Sequence, residues 1–403
     1  MGLVKISTYG NQTVHATDHA QLSVPTADLI AWTRAFVRHP SPQTERFEQE
    51  PQVQSFIDEN IAPLVEKLAL PWRRDGMGNL IVELGPASSG KSLLLMAYAM
   101  THPANRMRNP FAGELIEDAM GAYVRGRGVS EQKGALAAAL AAAKTAADRL
   151  ALRGRLIFAV STAGETGRHD AAISICDALG YCPQLAVIAL GTTGRIALAN
   201  KGRIDVFVTV RGKAAHSAMP WMGVDAIEGA RRVLDRVLAI DVTAKKHPEL
   251  GEATLTPTAI RSWPAATHTV QDEVRLTFDR RLLPGDDPHA AFRTIAAAAA
   301  DIGEPWSVKA ELGPIMYPAE IAPDGPFMRA AVEGCRRMGL EPPVTFHSHG
   351  ALDAGYFCFR GAEGAMWGPG AVEQWHSDDE RIGVSDLITG AIAYRGMIEA
   401  ALC

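Results

Sequence analysis

Aromatic residues make up only 6% of the 403 residues, and there are just five cysteines, at positions 176, 182, 335, 358 and 403. None forms a Cys-x-x-Cys pair. The odd count and wide spacing argue against a disulfide framework and fit a reducing compartment, the cytoplasm. No window approaches the ~18 consecutive apolar residues that a membrane span requires. Residues 1–5 run into polar sequence rather than an apolar core, so no signal peptide is expected. Positive charge is not in excess: 40 Lys and Arg against 45 Asp and Glu leave a net charge of −5. That balance excludes the basic footprint of a nucleic-acid binder. A chain that is 47% hydrophobic and 21% charged has the composition of a globular enzyme. Its length exceeds one ordinary core, so two domains are expected.

Residues 1–25 are polar and unpatterned and read as a loose arm. Beyond them, apolar periodicity places helices over 28–37, 53–69 and the alanine-rich stretch 133–151, and strands over 79–84, 92–98, 154–161, 185–190 and 195–199. Helices alternating with apolar strands indicate a layered α/β domain, 26–203. The rhythm then changes. A strand at 204–210, a helix at 225–240, strands at 254–260 and 273–278, a helix at 288–300 and a strand at 306–311 spell β-α-β-β-α-β, the ferredoxin-like pattern. This reads as an inserted α+β domain, 204–313, after which the helix at 326–338 and the strand at 364–367 resume the first domain over 314–403.

One motif points elsewhere. Gly85-Pro86-Ala87-Ser88-Ser89-Gly90-Lys91-Ser92 matches the phosphate-loop pattern in full. Its chemistry needs a helix beginning at Lys91, whose N-terminal amides cradle phosphate. Here an apolar strand is expected instead, and a hairpin turn accounts for the Gly, Pro and Ser.

Six further segments, taken in order, carry a resemblance. They are Ser92-Leu93-Leu94-Leu95 running into Tyr98-Ala99-Met100-Thr101-His102-Pro103; Gly126-Arg127-Gly128 through Glu131 to Lys133-Gly134; Ala163-Gly164-Glu165-Thr166-Gly167; Gly191-Thr192-Thr193-Gly194; Gly212 through His216-Ser217 to Pro220; and Trp367-Gly368-Pro369-Gly370 followed by His376 and Glu380. Asp279-Arg280-Arg281 with Pro284 adds a seventh. Together they resemble the dinuclear zinc peptidase and deacylase family of acetylornithine deacetylase, succinyl-diaminopimelate desuccinylase and glutamate carboxypeptidase. The resemblance spans about residues 26–403. It implies a zinc-peptidase-like catalytic domain with an inserted lid and dimerisation domain, a homodimer, and a small-molecule substrate.

Carried over residue by residue, the resemblance implies a lopsided site. The carboxylate that bridges two metals becomes Glu131. The private ligands of one metal become Glu165 and His376. Those of the other are lost, to Tyr98 and Gly191, and Met100 replaces the Asp that would orient the lost His. The general base becomes Gly164. His216 matches a His that reaches across the dimer to the substrate carbonyl, and Arg281 matches a clamp for a substrate carboxylate, although a salt bridge to Asp279 or Asp286 explains it equally. Two carboxylates and one imidazole suit a single Zn, Mn, Co or Fe ion. Three readings stay open: an amidohydrolase with one metal, acting on the amide, N-acyl or carbamoyl bond of a small carboxylate-bearing substrate; a metal-independent hydrolase, lyase or isomerase whose acid–base groups come from Tyr98, His102, His169, His347 and His349; and a non-catalytic binding protein. Tyr98, Met100 and Gly191 also read as simple gap-filling.

Overall fold

The computed structural model describes residues 21–86, 90–119, 121–164 and 166–403. Contacts divide the chain into two units: Met1–Leu198 with Ala319–Phe346 and Tyr356–Cys403, and Ala199–Pro318 with His347–Gly355.

In the first unit a six-stranded sheet runs in the order Trp72–Arg74, Leu80–Leu84, Arg155–Ser161, Ser92–Tyr98, Leu185–Ala189, Glu363–Trp367. The first two pairings are antiparallel and the last three parallel. Every residue of Ser92–Tyr98 is buried. That continuous apolar run is what a strand covered on both faces requires. It also removes the phosphate-loop reading, because Ser92 opens a strand and no helix begins at Lys91; Ala87, Ser88 and Ser89 lie outside the described residues. The alanine-rich helix Gly134–Arg149 is buried along most of its length. Small side chains let its backbone approach its neighbours closely.

Among the features that differ from the sequence reading are these. The helix expected over 53–69 is a helix, a π turn and a second helix, Pro51–Phe56, Ile57–Ile61 and Ala62–Lys67. The wider turn precedes Pro63, which has no N–H to offer the ladder. The hairpin Glu114–Asp118 and Gly121–Arg125 and the 19-residue helix Val384–Leu402 were not anticipated. That helix is buried nearly all round, so it lacks the amphipathic period by which helices are read.

The second unit contains the expected β-α-β-β-α-β fold. Its four-stranded antiparallel sheet runs Thr254–Trp263, Glu273–Leu282, Gly202–Arg211, Ser307–Met316, with helices Ala226–Leu238 and Pro288–Ala300. Alternate residues Ile204, Val206, Val208 and Val210 point into its own core with Val233, Val237, Phe278 and Ile295. No described helix is long and apolar enough to cross a membrane.

Candidate active site

Four parallel strands end side by side at Tyr98, Ser161, Ala189 and Trp367, and the segments leaving them carry most of the motifs. The carboxyl ends of parallel strands are where α/β sheets place their ligands. Glu131 comes to this edge from the π turn Val129–Lys133, whose five residues are all buried and which follows Gly128 in the left-handed region. Isolated π turns recur at functional sites because they re-aim side chains.

Glu131 Oε2 lies 3.3 Å from His376 Nε2. His376 itself adopts a left-handed backbone, φ 58°. A non-glycine residue held there costs energy and persists where its surroundings over-determine it. Close by in the chain stands Glu380, which is fully buried. Its carboxylate accepts N–H bonds from Gly128, Ser130 and Glu131 at 2.8, 2.9 and 3.1 Å and pairs with the buried Arg127 at 2.9 Å. Burial pushes the Glu380 carboxyl above its ordinary range, and the Gly128 N–H, the Arg127 guanidinium and the Glu131 and Ser130 N–H groups oppose that rise. Four residues after His376 in the chain, Glu380 thus ties the His376 loop to the turn that carries Glu131. Ser130 Oγ adds a second tie, accepting from Ala371 N at 2.8 Å and donating to Ala371 O at 3.1 Å. Neither Glu380 nor Arg127 stood among the expected site residues. Their signal was the Glu that closes the His376 motif and the Arg between two glycines.

Backbone closes on Gly191 and Gly164. A Cβ at Gly191 would lie 1.9 Å from Ser130 O, and one at Gly164 would lie 2.7 Å from Met100 O. Met100 is fully buried in the main core cluster, and Tyr98 is 2% exposed. A two-metal centre does not fit these residues: a glycine that cannot carry a side chain, a thioether and a buried phenol replace an imidazole and carboxylates. A single ion fits better. A carboxylate and an imidazole 3.3 Å apart have the separation of two ligands about 2.1 Å from one tetrahedral ion. Among the described residues no group of three or more His, Cys, Asp or Glu is arranged to hold a metal. Glu165, expected as the third donor, lies outside the described residues.

The His102 ring stacks on His376, centroids 3.8 Å apart and planes 17° from parallel. His169 is buried and precedes the helix Asp170–Leu179, 5.8 Å from the Tyr356 ring. His216, His347 and His349 belong to the second unit. There His347 sits 6.1 Å from the His247 ring, and His216 Nδ1 accepts the Ala218 N–H at 3.1 Å. Arg281 makes a bidentate pair with Asp279 at 2.9 and 3.2 Å. Two residues apart on one strand, these side chains share a face.

Residues 101–400 match peptidase family M20/M25/M40. The chain belongs to that family. Among its relatives, a Pyrobaculum aerophilum protein named for LysW-lysine/LysW-ornithine hydrolysis is 27% identical over 331 residues, 81% of this chain and 86% of the relative. Acetylornithine deacetylase of Vibrio parahaemolyticus is 24% identical over 343 residues, 80% and 87% of the two chains. Among solved structures, the M20 metallo-carboxypeptidase of Sulfolobus solfataricus superposes with a TM-score of 0.71 at 18% identity, covering 93% of this chain and 99% of that one. A dinuclear metal-binding M20 peptidase of Bacillus subtilis gives 0.63 at 16% identity, covering 93% and 97%. These two likenesses show that the family's fold is kept.

Proposed function

We propose that this M20-family protein hydrolyses the C–N bond of a small N-acyl or carbamoyl compound bearing a carboxylate, with one divalent ion rather than two. The observation that carries the reading is the Glu131–His376 pair, 3.3 Å apart at the carboxyl edge of the parallel strands. Relatives named for deacetylation and for lysine/ornithine hydrolysis support the substrate class. Glu131 and His376 would hold the ion, with Glu165 as third donor. When bound, such an ion acidifies a water and polarises a carbonyl.

The chain's own residues set the rest. Glu380 and Arg127 fix the Glu131 turn. His216 accepts at Nδ1 from Ala218, so its neutral ring carries the proton on Nε2 and offers a donor there, as stabilising an oxyanion requires. Its contact with substrate would be made in a homodimer. Arg281, held by Asp279, would clamp the substrate carboxylate. No carboxylate stands at 164 to take up a proton, so turnover is expected about 10²–10⁴-fold below that of an enzyme with a positioned general base.

The test is metal analysis of protein purified without chelator, followed by assay on N-acetyl and N-carbamoyl amino acids. About one equivalent of transition metal, with activity lost on chelation and in Glu131→Gln, is expected. Less than about a third of an equivalent sinks the reading. Activity that survives chelation and dies in Tyr98→Phe selects the metal-independent reading instead.

A further inference from the structure

We infer that His102 is a positioning residue that holds the His376 imidazole against Glu131. The inference rests on the proposed role of His376 as a metal-holding side chain. His376 is 44% exposed at its side chain and sits on a loop leaving a short 3₁₀ turn, Val372–Gln374. A half-exposed imidazole on a loop would ordinarily sample several rotamers. Here one ring face is covered by His102, with centroids 3.8 Å apart and planes within 17° of parallel. Covering that face leaves the in-plane nitrogen Nε2 directed at Glu131 Oε2, 3.3 Å away.

His102 can serve as a platform because it is itself anchored. Its Nδ1 lies 3.0 Å from Pro103 O. The Asn105 amide nitrogen lies 3.4 Å from the same atom, and the two neighbours together set the ring's orientation. The backbone around His102 is pinned on both sides. Thr101 N donates to Ser41 O at 2.9 Å and Gln43 N donates to Thr101 O at 2.8 Å, while Ala99 N donates to Ser161 O at 2.8 Å. A chain of main-chain bonds thus runs from the sheet edge to the ring that supports His376. Partners that orient a ligating side chain contribute heavily to metal affinity, about 10–100-fold.

Two substitutions in the full-length chain separate stacking from nitrogen chemistry. His102→Phe keeps a flat ring and loses both nitrogens; His102→Ala loses the platform. Zinc affinity is measured by competition with a chromophoric chelator, and the His376 ring C–H resonances are followed by NMR, assigned with His376→Gln. In His102→Ala, zinc binding is expected to weaken about 10–100-fold, and the His376 resonances to lose their upfield ring-current shift. In His102→Phe both return close to wild type. Unchanged affinity and unchanged shifts in a folded His102→Ala overturn the proposal. So does a folded His102→Phe as impaired as His102→Ala, which would place the role in a ring nitrogen. Should wild type bind no zinc, the single-ion reading fails, and the ring-current pattern alone still decides whether His102 orients His376.

Discussion

On the single-ion reading proposed above, Gly191 and Gly164 stand where a second metal ligand and a general base would be needed, and main-chain oxygens lie 1.9 and 2.7 Å from their would-be Cβ atoms. Restoring a carboxylate there should not restore the centre. Gly191→Glu is expected to destabilise by about 1–3 kcal/mol or more, as overpacking does, without raising the bound metal. Urea unfolding with metal analysis checks this; a second equivalent at unchanged stability would refute it. Lys133 offers a prediction in pH. Its amine is fully buried, donates to Phe36 O and His39 O at 2.7 and 2.6 Å, and burial lowers its pKa from 10.5 to about 7. Above about pH 7 the folded chain holds this amine neutral, while the unfolded chain keeps the proton until near 10.5. Stability from this group therefore rises with pH across that window, by up to about 1.4 kcal/mol per pH unit, and is lost below it. Thermal unfolding of wild type should gain on Lys133→Met between pH 7 and 9; a constant difference between the two would contradict the assignment.

Among local elements, the π turn Val129–Lys133 and the segment 371–380 behave as one piece because Glu380 and Ser130 bind across them. Glu380→Gln would leave Arg127 buried without its countercharge and turn an amide N–H₂ toward backbone donors. Breaking a buried pair of this kind costs about 3–5 kcal/mol. Glu380→Gln is therefore expected to unfold at lower denaturant and to bind zinc more weakly than wild type. Weakened metal binding with full stability would mean that Glu380 acts on the site without supporting the fold.

For the whole molecule, the segment Ala199–Pro318, which makes up the second unit together with His347–Gly355, has its own core and a four-stranded sheet, and its ends meet where Arg203 pairs with Met316. Adjacent termini and an independent core are what autonomous folding requires. A fragment 199–318 should show one cooperative thermal transition by circular dichroism; a broad, non-cooperative melt would argue that it depends on the rest of the chain. The β-α-β-β-α-β order of this unit was legible because alternating strands and amphipathic helices each declare themselves locally. Val384–Leu402 was not, because a helix buried on all sides has no polar face to mark its period.

The sequence by itself determined the family and the layered α/β fold, since strand ends and motif order are written along the chain. Only the tertiary structure decided that the Ser130 and Met100 carbonyls close on Gly191 and Gly164, that Arg281 is engaged by Asp279, and that His102 lies on His376. These facts depend on distances of a few ångströms between segments far apart in sequence, Arg127 and Glu380 by 253 positions. Packing sets such distances, and no local pattern encodes them.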